Sequence, residues 1–122
     1  MSAFSPVQWC LKASVDVPAM ESADDWLASW RQLPLDELSP FALAVLGGFQ
    51  ADRAAWAFSS GYEAALRAMF PQMSGGGLHG FSLSEEGIRS LRDLQTLWQA
   101  DSKGGVVLNG NKGWVPLPDH CE

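Results

Sequence analysis

The fold of this chain is decided by the stretch Ser74-Gly75-Gly76-Gly77-Leu78-His79-Gly80. Glycine loses more conformational entropy on ordering than any other residue, so this stretch favours neither helix nor strand. The sequence before it has helical spacing, and the sequence after it alternates as strands do. A phosphate-binding loop would have to lead into a helix N-terminus, which this stretch does not. We therefore predict an α+β fold with a helical region at 1–73, a flexible glycine-rich linker at 74–80 and a partial β domain at 81–122.

Three helices are predicted before the glycines, after an irregular or weakly helical lead-in at 1–20. Ser22 and Asp25 have the spacing of a capping box, which predicts a helix from about Ala23 to Gln32. Ser39 and Pro40 suit the start of a second, largely buried helix that runs up to the glycine pair at 47–48. The longest helix is predicted at about 51–69. Its predicted inner face consists of Ala51, Ala55, Phe58, Tyr62, Ala65, Leu66 and Met69, and Asp52, Ser59, Glu63 and Arg67 lie elsewhere on the helix.

Three or four strands of an antiparallel sheet are predicted after the glycines. Residues 81–84 alternate apolar with polar, and 94–100 and 106–108 have strand composition. The dipeptide Asn109-Gly110 predicts a tight hairpin turn that joins 106–108 to 113–115, because both turn residues would need positive φ. A sheet this small has open edges, so we expect a homo-oligomer or a complementary chain.

Composition argues against several classes of function. The net charge is −6 and the eight basic residues are scattered, so nucleic acid is not an expected partner. No apolar run reaches membrane-span length, and we expect a cytoplasmic protein. The cysteines and histidines, Cys10, Cys121, His79 and His120, lack the spacing of a disulfide framework or a metal site.

No residue has a clear catalytic signature. Glu85 and Glu86 are adjacent, so on a strand they would point to opposite faces, and a solvated strand end is the simpler interpretation than an acid–base pair. Ser59-Ser60-Gly61 lies within the long helical pattern and is not a nucleophile elbow. The aromatic stripe Trp56, Phe58 and Tyr62 is typical of a helix core. We predict no catalytic residue and no metal ligand.

Two segments resemble the middle-domain signatures of acyl-CoA dehydrogenases. The first is Phe81-Ser82-Leu83-Ser84-Glu85-Glu86-Gly87, and the second is Val107-Leu108-Asn109-Gly110-Asn111-Lys112-Gly113-Trp114-Val115. In that family, an aromatic residue opens a strand that runs into Thr or Ser, Glu and a glycine turn, and a Leu, Asn-Gly, Lys, Trp segment follows. The order and separation match here without a gap. Residues 48–67 also resemble the helix that precedes the sheet in shorter members.

The resemblance implies an FAD oxidoreductase of fatty acid metabolism, which carries out the α,β-dehydrogenation of an acyl-CoA thioester. It places Leu83 and Ser84 at the edge of the isoalloxazine and Trp114 against its ring. Phe81 matches the aromatic residue that opens the same strand, and Ser90 matches a serine near the flavin phosphates or the acyl-CoA. The redox chemistry would belong to the flavin.

Some residues depart from the family pattern. Arg89 and Leu91 replace the usual Gly and Asp around Ser90, and Pro116 replaces a hydroxyl residue and has no amide proton to donate. The family's C-terminal helical bundle, with its glutamate base, has no counterpart. We therefore expect an N-terminal or truncated portion that is inactive alone. The alternatives are a split subunit or non-enzymatic interaction module derived from the family, and a helix-plus-sheet domain whose motifs are coincidental.

Overall fold

The computed structural model describes residues 5–14, 16–73 and 75–121, so the predictions for residues 1–4, 15, 74 and 122 lie outside the described residues. The described part has an α+β fold with four α-helices and one two-stranded antiparallel sheet. It divides into two compact units. A helical unit extends to His79 and also includes residues 119–121, and a second unit comprises Gly80–Pro118.

The helical unit contains α1 (Pro6–Lys12), α2 (Ala23–Trp30), α3 (Pro40–Phe49) and α4 (Ala54–Met69). Serine side chains cap the first three of these helices. The capping box predicted at α2 is present, because Ser22 Oγ accepts from Asp25 N at 3.2 Å and the Asp25 carboxylate accepts from Ser22 N at 3.0 Å. The lead-in predicted at 1–20 contains the short helix α1. Helix α4 begins three residues later than its periodicity predicts.

The core of the helical unit is a stack of three indoles. Trp26 lies 5.8 Å from both Trp30 and Trp56, measured between ring centroids. Trp26 Nε1 donates to Ser60 Oγ at 3.3 Å, and Trp56 Nε1 donates to the Met20 carbonyl at 3.0 Å. Two of the three buried indole N–H groups thus have protein acceptors, as buried polar groups require.

Helices α3 and α4 approach each other at Gly47. A Cβ atom at this position would lie 2.6 Å from Trp30 Cζ3 and 2.7 Å from Ser60 Cβ. Any larger side chain would therefore push α3 away from α4. The next residue, Gly48, has no atom within 4 Å of the corresponding Cβ position, so only the first glycine is required by packing.

Most of the predicted inner face of α4 is wrong, and of the predicted residues only Leu66 is buried. The buried residues of α4 are Trp56, Ser59, Ser60, Glu63, Ala64, Leu66 and Arg67, whereas Ala55, Phe58, Ala65 and Met69 are exposed. Of the predicted aromatic core stripe, only Trp56 is buried, while Tyr62 is half-buried. The physical reason is that the polar residues of this helix find partners inside the unit: serine hydroxyls bond to the indole stack and to helix carbonyls, and Glu63 forms a buried ion pair. Hydrophobic periodicity alone does not detect such partners.

The second unit contains the sheet. Strand β1 (Leu97–Ala100) pairs antiparallel with β2 (Val106–Asn109), and Leu97 lies opposite Asn109. A single turn of 3₁₀ helix, Leu91–Asp93, precedes β1, and another, Pro118–His120, follows at the end of the chain.

The turn predicted at Asn109-Gly110 is wrong. Asn109 is the last residue of β2, and neither it nor Gly110 has positive φ. The chain reverses instead at 101–105, where Gly104 has a φ of +81° and the Asp101 carboxylate accepts from Lys103 N at 2.6 Å and from Gly105 N at 2.8 Å. An aspartate whose carboxylate accepts from the backbone amides that follow it stabilises a turn, as an Asn-Gly pair does.

The strand predicted at 81–84 is also absent. The structure gives residues 81–84 no regular secondary structure, although Gly113 N donates to the Ser84 carbonyl at 2.8 Å. A four-residue alternation indicates a strand only where a neighbour supplies a continuous row of partners. The antiparallel sheet of the described residues therefore has two strands rather than three or four.

Candidate functional site

The helical unit holds a cluster of charged side chains built around Glu63 of α4. Glu63 is 1% exposed, and its carboxylate has three donors. Oε1 accepts from Arg67 Nε at 3.1 Å and lies 2.6 Å from His79 Nδ1, while Oε2 accepts from the His79 backbone N–H at 3.1 Å. A buried carboxylate is tolerated only with such partners.

Arg67 extends this cluster to the glycine-rich segment. Its Nη1 lies 3.3 Å from Asp36 Oδ1, and its Nη2 donates to the Gly75 carbonyl at 2.6 Å. Asp36 accepts in turn from Gly75 N at 3.0 Å, and Arg31 donates to the Gly76 carbonyl at 2.8 Å. The amides of Gly75 and His79 are thus already bonded to carboxylates and do not form a cradle for a phosphate.

Cys121 lies near this cluster. Its backbone forms a parallel bridge with Leu78, and burial raises the pKa of its thiol, with a further contribution from the Glu63 carboxylate. A thiol with a raised pKa stays protonated at neutral pH and is a poor nucleophile. Although Glu63 orients His79, the cluster does not provide an activated cysteine.

The cluster in the second unit is built around Glu85. Its Oε1 accepts from Lys112 Nζ at 2.7 Å and from Thr96 N at 3.0 Å, and Oε2 accepts from Gln95 N at 2.7 Å. The Thr96 hydroxyl also donates to this carboxylate. Glu85 therefore joins the segment before the sheet, the start of β1 and the segment after β2.

These donors lower the pKa of Glu85 to about 2, with Lys112 the largest cause and the Thr96 hydroxyl next. The interpretation of Glu85 as part of a solvated strand end is wrong, whereas Glu86 is exposed. A carboxyl group with so low a pKa stays ionised at neutral pH and cannot exchange a proton efficiently. Glu85 thus organises this unit and does not act as an acid or base.

Gly110 allows the segment after β2 to approach the start of β1. A Cβ atom at Gly110 would lie 2.8 Å from the backbone Cα of Thr96, which is closer than side chains tolerate. The glycine of the Asn-Gly pair is therefore required for close approach rather than for a turn. This approach brings Lys112 within reach of Glu85.

The five predicted flavin contacts, Phe81, Leu83, Ser84, Ser90 and Trp114, all lie in the second unit. Ser84 is exposed, and its carbonyl accepts from the N–H of Gly113, the residue before Trp114. Trp114 is 56% exposed, and Phe81 and Leu83 are also partly exposed. Ser90 is used differently, because its Oγ accepts from Arg92 N at 3.3 Å and caps the 3₁₀ turn.

A cleft of about 410 Å³ lies beside the Glu85 cluster. It lies on the side of the sheet that carries Leu97 and Asn109, and its lining includes Glu86, Gln95 and Asn111. Carboxamide side chains can both donate and accept hydrogen bonds, which suits a ligand whose edge alternates hydrogen-bond donors with acceptors. The lining of this cleft includes neither Ser84 nor Trp114.

Sequence reasoning missed the residues that hold both clusters. A signal was present for Glu63 and Arg67, whose i, i+4 spacing predicts an ion pair on one helix face. A signal was also present for Glu85 and Lys112, because each lies within one of the two family-like segments. No local pattern indicates that Thr96 would supply a donor.

Comparison of the chain with protein-family models, with curated proteins and with solved structures finds no match. Among the described residues, no helix is long and apolar enough to cross a membrane, and no three side chains of the ligating types come together for a metal ion. A functional assignment rests on the residues themselves.

Proposed function

We propose that the chain contributes flavin contacts to an acyl-CoA dehydrogenase-like FAD oxidoreductase. The observation that supports this most is that the two family-like segments lie side by side. Ser84 and Glu85 of the first segment bond to Gly113 and Lys112 of the second, at 2.8 Å and 2.7 Å. The sequence match gives only the order of the two segments along the chain. In the structure, residues of the two segments are in direct contact.

In this proposal, Ser84 and the backbone at Leu83 bind the edge of the isoalloxazine, and Trp114 packs on its ring. Phe81 contributes apolar surface. The bound flavin would accept the hydride in the α,β-dehydrogenation of an acyl-CoA thioester. Ser90 fits less well, because its hydroxyl already caps a turn.

The chain is proposed to bind flavin without supplying the base that removes the substrate proton. Two of its carboxylates, Glu63 and Glu85, are each held by at least three donors, and Glu85 has a pKa of about 2. A general base needs a pKa nearer the working pH and a position within hydrogen-bond reach of the substrate. Acyl-CoA dehydrogenase turnover by the purified chain would contradict this part of the proposal.

Titration of FAD with the purified protein tests the proposal, with flavin fluorescence anisotropy as the readout. We expect saturable binding that Trp114→Ala weakens by roughly 2- to 10-fold, as expected for the loss of one aromatic stack. Trp98→Ala is the matched control, since Trp98 is also an exposed tryptophan of the same unit and is not among the proposed contacts. Absence of binding, or equal weakening by both substitutions, would overturn the proposal.

A second candidate function is a non-enzymatic interaction module. It is favoured by the large apolar side chains that the two strands expose, among them Trp98, Val106 and Leu108. A colourless protein that takes up no added flavin but associates with a partner would support the module over the flavin protein.

A further inference from the structure

The segment 75–79 is fixed to the helical unit by charged side chains. Its peptide groups form hydrogen bonds with four of them, namely Arg31, Asp36, Glu63 and Arg67. Leu78, the one large apolar residue of the segment, is 4% exposed. Hydrogen bonds to charged groups are about twice as strong as bonds between neutral groups, and they weaken when the charge is lost. The attachment of this segment therefore depends on charge as well as on the burial of Leu78.

His79 contributes both its backbone and its ring to this attachment. Its backbone N–H donates to Glu63 Oε2 at 3.1 Å, and its ring Nδ1 lies 2.6 Å from Glu63 Oε1. The His79 side chain is 18% exposed, so solvent protons reach the ring, whereas Glu63 is buried. Histidine is the residue type whose side chain ordinarily changes charge between about pH 5 and 8. A single buried carboxylate thus holds a backbone amide and a ring that can gain a proton.

We propose that His79 is a pH-sensitive latch, which fixes the segment 75–79 to α4 more tightly when its imidazole is protonated. A neutral ring with its proton on Nδ1 still donates to Glu63, but only the protonated ring adds the attraction between opposite charges. The second unit begins at Gly80, so the latch acts where the chain leaves the helical unit. The proposal rests on this contact alone and does not depend on flavin binding.

Other charged or titratable groups also surround this contact. On α4, Arg67 Nε donates to Glu63 Oε1 at 3.1 Å. The rest of the set come from outside α4 and are Arg31, Asp36 and Cys121. Burial raises the pKa of the Cys121 thiol, so this group stays uncharged at neutral pH, and both arginines stay protonated. Among these groups, only His79 is of a type that changes charge between about pH 5 and 8.

Amide hydrogen exchange between about pH 5 and 8 tests the proposal, after correction for the pH dependence of the intrinsic exchange rate. We expect the protection of the His79 amide to fall roughly 5-fold as the pH rises, because a charged hydrogen bond is replaced by a neutral one. The Gly75 amide, which donates to Asp36 at 3.0 Å, should lose protection in parallel. Both amides should be less protected than those inside α3, because the segment opens without unfolding of the helices.

His79→Asn removes the proton uptake but keeps an NH₂ group that can donate to Glu63. This variant should lose most of the change in protection with pH. His120→Asn is the matched control. His120 is the other histidine of the chain, and its Nδ1 lies 3.6 Å from Asp24, whose side chain is 84% exposed. An exposed pair of this kind contributes little, so the control variant should keep the full change at His79.

A second measurement needs no substitution. Ring ¹⁵N NMR of the wild-type protein identifies which nitrogen of the neutral His79 ring carries the proton, and the proposal requires Nδ1, which faces Glu63. Protection at His79 that does not change with pH would overturn the proposal. So would a change that persists in His79→Asn or disappears in His120→Asn, segment amides as protected as those of α3, or a neutral ring with its proton on Nε2.

Discussion

Substitution of Glu63 by glutamine tests whether α4 buries its polar side. The structure gives this carboxylate three donors, namely Arg67 Nε and both the ring and backbone nitrogens of His79. Glutamine has nearly the same shape but one acceptor oxygen and one NH₂ group. In either orientation, the NH₂ group would face at least one of these N–H donors, and Arg67 would lose its closest carboxylate.

The expected cost follows from the burial of both partners. Removal of one member of a buried ion pair costs about 3–5 kcal/mol of unfolding free energy, because the other charge stays buried without compensation. Asp36 still pairs with Arg67, so we expect the lower end, about 3 kcal/mol. For a domain of this size that corresponds to a fall in melting temperature of roughly 10 °C.

Urea unfolding followed by far-UV circular dichroism measures this change. Met69→Ala is the control, because Met69 lies on the face that periodicity predicts to be inside but is exposed in the structure. We expect it to cost less than about 1 kcal/mol, whereas a buried methionine would cost about 2–5 kcal/mol. If Glu63→Gln is neutral and Met69→Ala is costly, the helix buries the other face and the reasoning is refuted.

Three further predictions concern the glycines, the Glu85 carboxyl group and the turn of the hairpin. Gly47→Ala should destabilise the helical unit by about 1–3 kcal/mol through overpacking, whereas Gly48→Ala, in open space, should stabilise it by about 0.5–1 kcal/mol. Chemical denaturation compares the two variants, and equal effects on the free energy of unfolding would contradict the packing of α3 on α4. Because folding lowers the Glu85 pKa from 4.5 to about 2, the contribution of this carboxylate to stability is complete above pH 4.5 and is lost as the pH falls toward 2. In a carboxyl NMR titration of the folded protein, Lys112→Met should raise the Glu85 pKa and Glu86→Gln should not. An unchanged Glu85 pKa in the Lys112 variant would be evidence against the ion pair. Asp101→Ala should weaken the β1–β2 pairing measured by amide hydrogen exchange, whereas Asn109→Ala should have little effect; the reverse result would place the turn at Asn109-Gly110.

Local sequence signals predict the helices well and the sheet poorly. The capping box at Ser22 and the Ser39-Pro40 pair are interactions between near neighbours, and both start helices where expected. The Asn109-Gly110 pair is also a local signal, but tertiary packing at Gly110 uses its glycine for a close approach to Thr96. A dipeptide carries no information on whether its glycine serves a turn or a contact.

The orientation of α4 shows a second limit of sequence reasoning. Periodicity ranks Glu63 and Arg67 as surface residues because each is polar when considered alone. They are buried because they pair with each other and with Asp36 and His79 from elsewhere in the chain. The candidate site shows the same limit. The family resemblance selects two segments of the sequence, but only the structure shows that Glu85 of the first contacts Lys112 of the second.

The proposal that segments 81–87 and 107–115 form part of a flavin site is tested most directly by NMR of ¹⁵N-labelled protein during FAD titration. We predict that the amides of Ser84 and Gly113 and the indole N–H of Trp114 shift together in a saturable way, while the indole N–H of Trp98 does not. Saturation without shifts at these three positions, or no shifts at any FAD concentration, would contradict the proposal.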